Sequence, residues 1–223
     1  MNLFSYDSRF TQLLMKLVFS SYLNILWFIC SLPIFTIGAA TTALYYTSLK
    51  IIRNEEGNVT KTFFKAFKEN FRQSTVIWLI MLGIGLFLAF DFYVLYNLRL
   101  NTAMPMAAFW TILLAILIGA IIIYLIVLFM IFPLEASVIN TTPNMFKNAL
   151  LIGTHYLFAT ILVFAVHFAM FYIVVAVFTP FIVFGEGLCA LISAWLLNQI
   201  LISVLGTPED AQEEEEDSSE EST

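Results

Sequence analysis

Long apolar runs separated by short polar breaks set the pattern of this chain. The first covers residues 17–49 without a charge, and four more follow at about 75–98, 106–132, 157–184 and 188–205. Each is close to or longer than the ~20 residues that an α-helix needs to cross a bilayer. One such run is compatible with a buried core helix; five in succession read as membrane spans. The pattern therefore predicts an all-α fold, a polytopic transmembrane helical bundle of five to six membrane helices.

The first run is too long for one straight span. Its 33 residues would extend ~50 Å at 1.5 Å per residue, against a hydrocarbon core of ~30 Å. Ser31-Leu32-Pro33-Ile34-Phe35-Thr36-Ile37-Gly38 lies at its centre. Proline disfavours helical geometry in the residue before it, and glycine tolerates a turn. The reading preferred is a helical hairpin, residues 10–31, an apolar turn, then residues 38–53, with Lys50 and Arg53 snorkelling. One kinked helix is the alternative.

Two amphipathic segments break the apolar pattern. In residues 59–73, Phe64, Phe67 and Phe71 make a stripe at helical spacing, and Lys61, Lys65, Lys68 and Arg72 follow one position later. This is the pattern of a helix lying in the membrane interface, or of one packed on its own bundle. A second, shorter interfacial segment is expected over 145–155. The two share an offset: Phe64-Lys65-Ala66-Phe67 and Phe146-Lys147-Asn148-Ala149 lie 82 residues apart. Each leads into a span, a short turn and a returning span. The layout predicts a parallel internal repeat, with units at about 60–135 and 143–206.

Charge orients the spans. Six lysines and arginines lie between Lys50 and Arg72, against Arg99 alone in the next short loop. By the positive-inside rule the loop 50–72 is cytoplasmic. Counting onward places 99–105 and 185–187 outside, and 135–155 and the C-terminal tail inside; the hairpin adds Arg9, Lys16 and the N-terminus to the inside. The start of the chain lacks the compact apolar core and small-residue cleavage site of a signal peptide, so the first run is expected to stay as an anchor.

Composition agrees. Of 223 residues, 61% are hydrophobic and only 12% charged, about half the charge of a soluble domain. The acidic balance is local: nine of the 16 Asp and Glu residues fall in the last 17 positions. Residues 1–206 thus form a slightly basic transmembrane domain, and 207–223 an acidic tail expected to be disordered and cytoplasmic. Nothing points to nucleic acid; the lipid bilayer is the expected surrounding. Cys30 and Cys189 lie in apolar segments with no metal-ligand spacing and read as hydrophobic fillers, though the topology puts both near the outer face, where a bridge stays open to them.

Candidate chemistry is sparse. Asp91 lies about 16 residues, roughly 24 Å, into its span, and Arg99 is two turns further on. With Glu186 at a similar depth, the three are a candidate outer polar cluster. His167 falls near the middle of its span, where an interhelical hydrogen bond is the ordinary role. Asn24 and Asn198 are candidate interhelical glue, and Glu135 follows Pro133 at a cytoplasmic helix end. No HExxH, GxSxG or P-loop occurs, Asp91 is the only aspartate within a span, and no metal-ligand set is present. No catalytic residue, cofactor or metal is expected, and the chain is not read as an enzyme.

Particular residues carry a resemblance. The run Trp27-Phe28-Ile29-Cys30-Ser31-Leu32-Pro33-Ile34-Phe35-Thr36-Ile37-Gly38-Ala39-Ala40-Thr41-Thr42-Ala43-Leu44-Tyr45-Tyr46, with Phe63-Phe64-Lys65-Ala66-Phe67-Lys68-Glu69-Asn70-Phe71 and Phe132-Pro133-Leu134, resembles the YesL-like family of bacterial integral membrane proteins, a domain-of-unknown-function family. The likeness extends over residues 2–205 and leaves the tail out. Members are often encoded beside carbohydrate ABC importers, so the resemblance implies a non-catalytic accessory subunit or assembly factor for sugar import in the plasma membrane. It supplies no functional residues. A stand-alone small-solute transporter using the Asp91/Arg99/Glu186 group is the alternative. An importer permease would carry a Glu-Ala-Ala segment followed by glycine and Leu-Pro; Glu135-Ala136-Ser137 begins so, but the rest does not follow. A membrane sensor or regulator would need an effector domain, for which only the tail is free.

Overall fold

The first apolar run folds as two helices. In a computed structural model that describes residues 9–55, 57–101 and 106–205, α1 (Arg9–Ser31) is followed by a 3-10 turn at Ile34–Thr36 and by α2 (Ile37–Ile52). Pro33 sits in extended geometry at the corner. The Thr36 hydroxyl lies 2.6 Å from both Cys30 O, a carbonyl at the end of α1, and Pro33 O, which also accepts Thr36 N. Trp27 Nε1 donates to Thr41 Oγ1 at 3.0 Å across the corner, so the arms lie side by side as a hairpin.

α2 is the axis of the bundle. Gly38, Ala39, Ala40, Thr42, Ala43, Leu44, Tyr45 and Ser48 are all buried. The glycine, alanines, Thr42 and Ser48 among them are small enough to let neighbouring helices approach closely. The helix stops at Asn54, which takes φ 54°, a left-handed conformation asparagine tolerates, and Glu55 N closes the end on Lys50 O at 2.9 Å.

α3 (Val59–Asn101) overturns one expectation. The interfacial segment and the following span are a single helix of 43 residues, ~65 Å long. Asn58 Oδ1 caps its start by accepting Lys61 N at 3.0 Å. Nothing between Arg72 and Val76 breaks a helix, and Ser74 is held inward by Thr42, 3.1 Å away. The seam it buries is Val59, Phe63, Ala66, Ser74, Ile77 and Met81. Phe64 and Phe71 are exposed and Phe67 half-buried, so the expected phenylalanine stripe lies one position around the helix from the real seam.

α4 (Met106–Glu135) returns antiparallel to α3, with Tyr124 OH donating to Met81 O at 3.1 Å and Arg99 Nε to Thr111 Oγ1 at 2.6 Å. Trp78 Nε1 donates to Ile34 O at 2.7 Å, which sets the α1–α2 corner level with the middle of α3. Beyond that level, the α3–α4 pair exposes Leu86, Phe87, Phe90, Tyr93, Ile112 and Ile116, as lipid-facing helices do.

The second expected unit is built differently from the first. α5 (Thr142–His155) and α6 (Leu157–Tyr172) are separate helices, broken at Tyr156, whose φ −101° and ψ 48° are not helical. The expected span 157–184 also ends early. A wide turn, closed by Phe178 N on Ile173 O at 2.8 Å, follows α6, and residues Thr179–Val183 form a 3-10 turn around Pro180. α7 (Gly185–Leu205) then starts three residues before the expected 188, so residues 185–187 are its first turn rather than a loop. It runs antiparallel to α6: Tyr156 meets Ser203 and Val166 meets Cys189.

The fold is thus an all-α helical bundle, with no strand among the described residues. Four helical stretches, Thr11–Ser31, Val59–Leu100, Met106–Glu135 and Leu157–Val177, are long and apolar enough to cross a membrane. α2, with 16 residues or ~24 Å, and α7 complete the bundle without meeting that measure. Residues 1–8, 56, 102–105 and 206–223, the acidic tail 207–223 among them, lie outside the described residues.

Candidate functional site

One group of polar side chains inside the bundle gathers where α2, α6 and α7 meet. His167 of α6 places Nδ1 2.8 Å from Val163 O. A carbonyl only accepts, so Nδ1 carries the proton and Nε2 faces two partners. Glu186 Oε1 lies 3.4 Å from Nε2, and the Tyr45 hydroxyl also lies 3.4 Å away. The two contacts suit different states of the ring. A neutral imidazole accepts from the Tyr45 hydroxyl, whereas an imidazolium donates to the Glu186 carboxylate.

Asn24 holds Glu186 in place. Its Nδ2 donates to Ile182 O at 2.9 Å, and its Oδ1 accepts Gly187 N at 3.0 Å, one of the amides that the start of α7 leaves unpaired. Gly187 is required here, because a Cβ would run into Ser20 O and Asn24 Cβ of α1. α1 and the first turn of α7 therefore sit in backbone contact, and Glu186, between Gly185 and Gly187, is carried toward α6.

Two adjoining cavities open on this cluster. One of about 380 Å³ is lined by Trp78, Phe129, Phe132 and Phe164, and one of about 630 Å³ by Asn24, Phe28, Val175 and Cys189. Trp27, Ile37, Phe171, His167 and Glu186 belong to both, making one cleft. The Phe129 ring packs against the His167 ring at 5.1 Å.

The outer cluster expected from the sequence is not assembled. Glu186 pairs with His167, Arg99 bonds to Thr111, and Asp91 lies half-buried on α3. Among the described residues no ion pair joins Asp91 to Arg99 or Glu186. The reason is the early start of α7: with residues 185–187 helical and pinned to α1, Glu186 is drawn toward α6 and away from the α3–α4 pair. Asn198 accepts from Arg53 Nε at 2.7 Å, tying the end of α2 to α7. Lys61, Lys65, Lys68 and Arg72 are all exposed, and the Lys65–Glu69 pair, at 4.0 Å in the open, adds little.

Tyr45 was not picked out from the sequence, hidden as it was in an apolar run. Glu135 stands at a helix end as expected, but there it is buried, 5% exposed: its Oε2 accepts from Thr42, 3.0 Å away, and its Oε1 has no hydrogen-bond partner among the described residues. The absence of lysine or arginine near Pro133-Leu134-Glu135 was the available signal. Cys30 and Cys189 are both free thiols, so no bridge joins them. Among the described residues no group of three His, Cys, Asp or Glu could hold a metal.

The fold and its lipid-facing surface define a helical membrane protein. A family described as a protein of unknown function, DUF624, matches residues 21–92, which hold the second part of α1 from Ser21, all of α2 and α3 as far as Phe92. No curated protein and no solved structure matches the chain.

Proposed function

We propose that the chain is a non-catalytic accessory subunit or assembly factor for carbohydrate ABC import, set in the bacterial plasma membrane with residues 50–72 and both termini in the cytoplasm. The YesL-like resemblance motivates the sugar-import setting. The observation that supports a partner is the first half of α3. Its inner seam is spent on α2, yet its flank still presents exposed Phe64 and Phe71, adjoining Lys61, Lys65, Lys68 and Arg72 on the far side. Aromatic and cationic side chains together on one exposed face suit a protein surface or an anionic membrane surface. The test is photo-crosslinking in native membranes from a probe at Phe64, with a probe at Gly83 as control. Recovery of importer subunits from Phe64 alone is expected; probes that capture no transporter subunit would sink the proposal.

A second reading, a stand-alone transporter of a small solute, is favoured by the His167–Glu186 cleft. In liposomes, uptake abolished by Glu186→Gln and untouched by Asp91→Asn would support it. Uptake indifferent to Glu186 would remove it.

A further inference from the structure

We propose that the His167–Glu186 cleft binds an organic cation carrying an apolar body, a role that holds whether or not the chain assists an importer. Charge argues for a cation. Among the described residues, Glu186 is the only carboxylate lining either cavity, and neither lysine nor arginine lines them. A carboxylate half-removed from water needs a positive partner or a donor. His167 fills that role only as an imidazolium, and the ring has another arrangement ready. With Nδ1–H on Val163 O and the Tyr45 hydroxyl donating to Nε2, neutral His167 keeps both nitrogens bonded and leaves Glu186 to an incoming cation.

The walls argue for the same ligand. Trp27, Trp78, Phe129, Phe164 and Phe171 line the same cavity as the carboxylate, and aromatic faces attract a desolvated cation. A sugar fits poorly, because its buried hydroxyls each need a partner. Among the described residues the lining offers a sugar the hydroxyls of Thr41, Tyr45 and Ser31 alone, and Thr41 already accepts the Trp27 N–H. Volumes of about 380 and 630 Å³ fall in the range of drug-sized ligands.

Depth distinguishes a free ligand from a bilayer lipid. His167 lies ten residues, ~15 Å, from each end of the Leu157–Val177 span. A lipid ammonium would have to leave the interface to reach it. The occupant is therefore an amphiphilic cation that enters on its own.

The test uses the full chain in nanodiscs of uncharged lipid and a matched probe pair, tetraphenylphosphonium and tetraphenylborate, which share a shape and differ in sign. Saturable binding is read by equilibrium dialysis and by quenching of tryptophan fluorescence, since Trp27 and Trp78 line the cleft. Saturable binding of the phosphonium, with the borate unable to displace it, is expected. Glu186→Gln should weaken the phosphonium by about tenfold or more, the size of a lost interaction with a charged group. His167→Gln should leave it bound. No saturable phosphonium binding, equal displacement by the borate, or binding indifferent to Glu186→Gln would each overturn the proposal. The probe pair on the wild-type chain keeps it testable if Glu186→Gln fails to fold, and adding lipids with ammonium headgroups should not compete; competition would point to a lipid site instead.

Discussion

Gly38→Ala is the sharpest test of the packing. Gly38 lies in the first turn of α2, where a Cβ would stand 2.5 Å from Ser74 O, 2.6 Å from Trp78 Cβ and 3.1 Å from Phe132 Cε1. Comfortable contacts are about 3.5–4.0 Å, and the nearest obstacle is α3 backbone, which no rotamer change can clear. α2 and α3 must part by about 1 Å. That separation strains the Ser74–Thr42–Glu135 chain, with bonds of 3.1 and 3.0 Å, and the 2.7 Å bond from Trp78 to Ile34 O. Overpacking costs about 1–3 kcal/mol and each weakened hydrogen bond up to about 1 kcal/mol. Alanine returns up to about 1 kcal/mol of helix propensity. The expected net loss is about 2–4 kcal/mol, or a fall in melting temperature of about 5–15 °C for a chain of this size. Thermal unfolding in detergent, followed by circular dichroism, measures it. Gly83→Ala and Gly119→Ala are the controls, since a Cβ at either meets nothing within 4 Å. Both should melt at or slightly above wild type. If Gly38→Ala does the same, the close α2–α3 contact is wrong.

Other expectations follow from single contacts. Asn24→Leu should lower stability by about 2–4 kcal/mol, because it leaves both Ile182 O and Gly187 N without their partner; thermal unfolding that matches wild type would contradict the α1–α7 clamp. Asn198→Ala should cost less, about 1 kcal/mol, since the exposed Arg53 can turn to water; a loss above about 3 kcal/mol would mean that Arg53 is not free to do so. A small maleimide should label half-buried Cys30 and spare buried Cys189 in the folded protein. Mass spectrometry reads the pattern, and equal labelling of the two would contradict the placement of α7.

Most of the helices were legible because hydrophobic period and turn chemistry are local. Ser31-Leu32-Pro33 marked the α1–α2 corner, and Asn54 ended α2 where the polar stretch began. What escaped depended on contacts between segments distant in sequence. A Phe-and-Lys rhythm identifies an amphipathic helix, but choosing Phe63 over Phe64 as the buried face requires knowing that α2 supplies small residues opposite. Gly38 read as turn punctuation; its real task is to bring two backbones together, which no single-segment pattern displays. The expected span ran on to 184, so nothing in the pattern showed that α7 would start at Gly185 and carry Glu186 to His167. The expected Asp91/Arg99/Glu186 group paired residues by depth alone. Depth fixes one coordinate of three, and the helix arrangement set the other two differently.

The meeting of α6 and α7 is the centre of this account, because the cleft exists only if His167 faces Glu186. Cysteine pairs report on it directly in a background with Cys30→Ser and Cys189→Ser. With a short thiol cross-linker in native membranes, His167→Cys combined with Glu186→Cys should join within one chain, as their native side chains approach to 3.4 Å. Asp91→Cys combined with Glu186→Cys should not join. Bridging of the second pair with none in the first would restore the outer cluster and contradict the site described here.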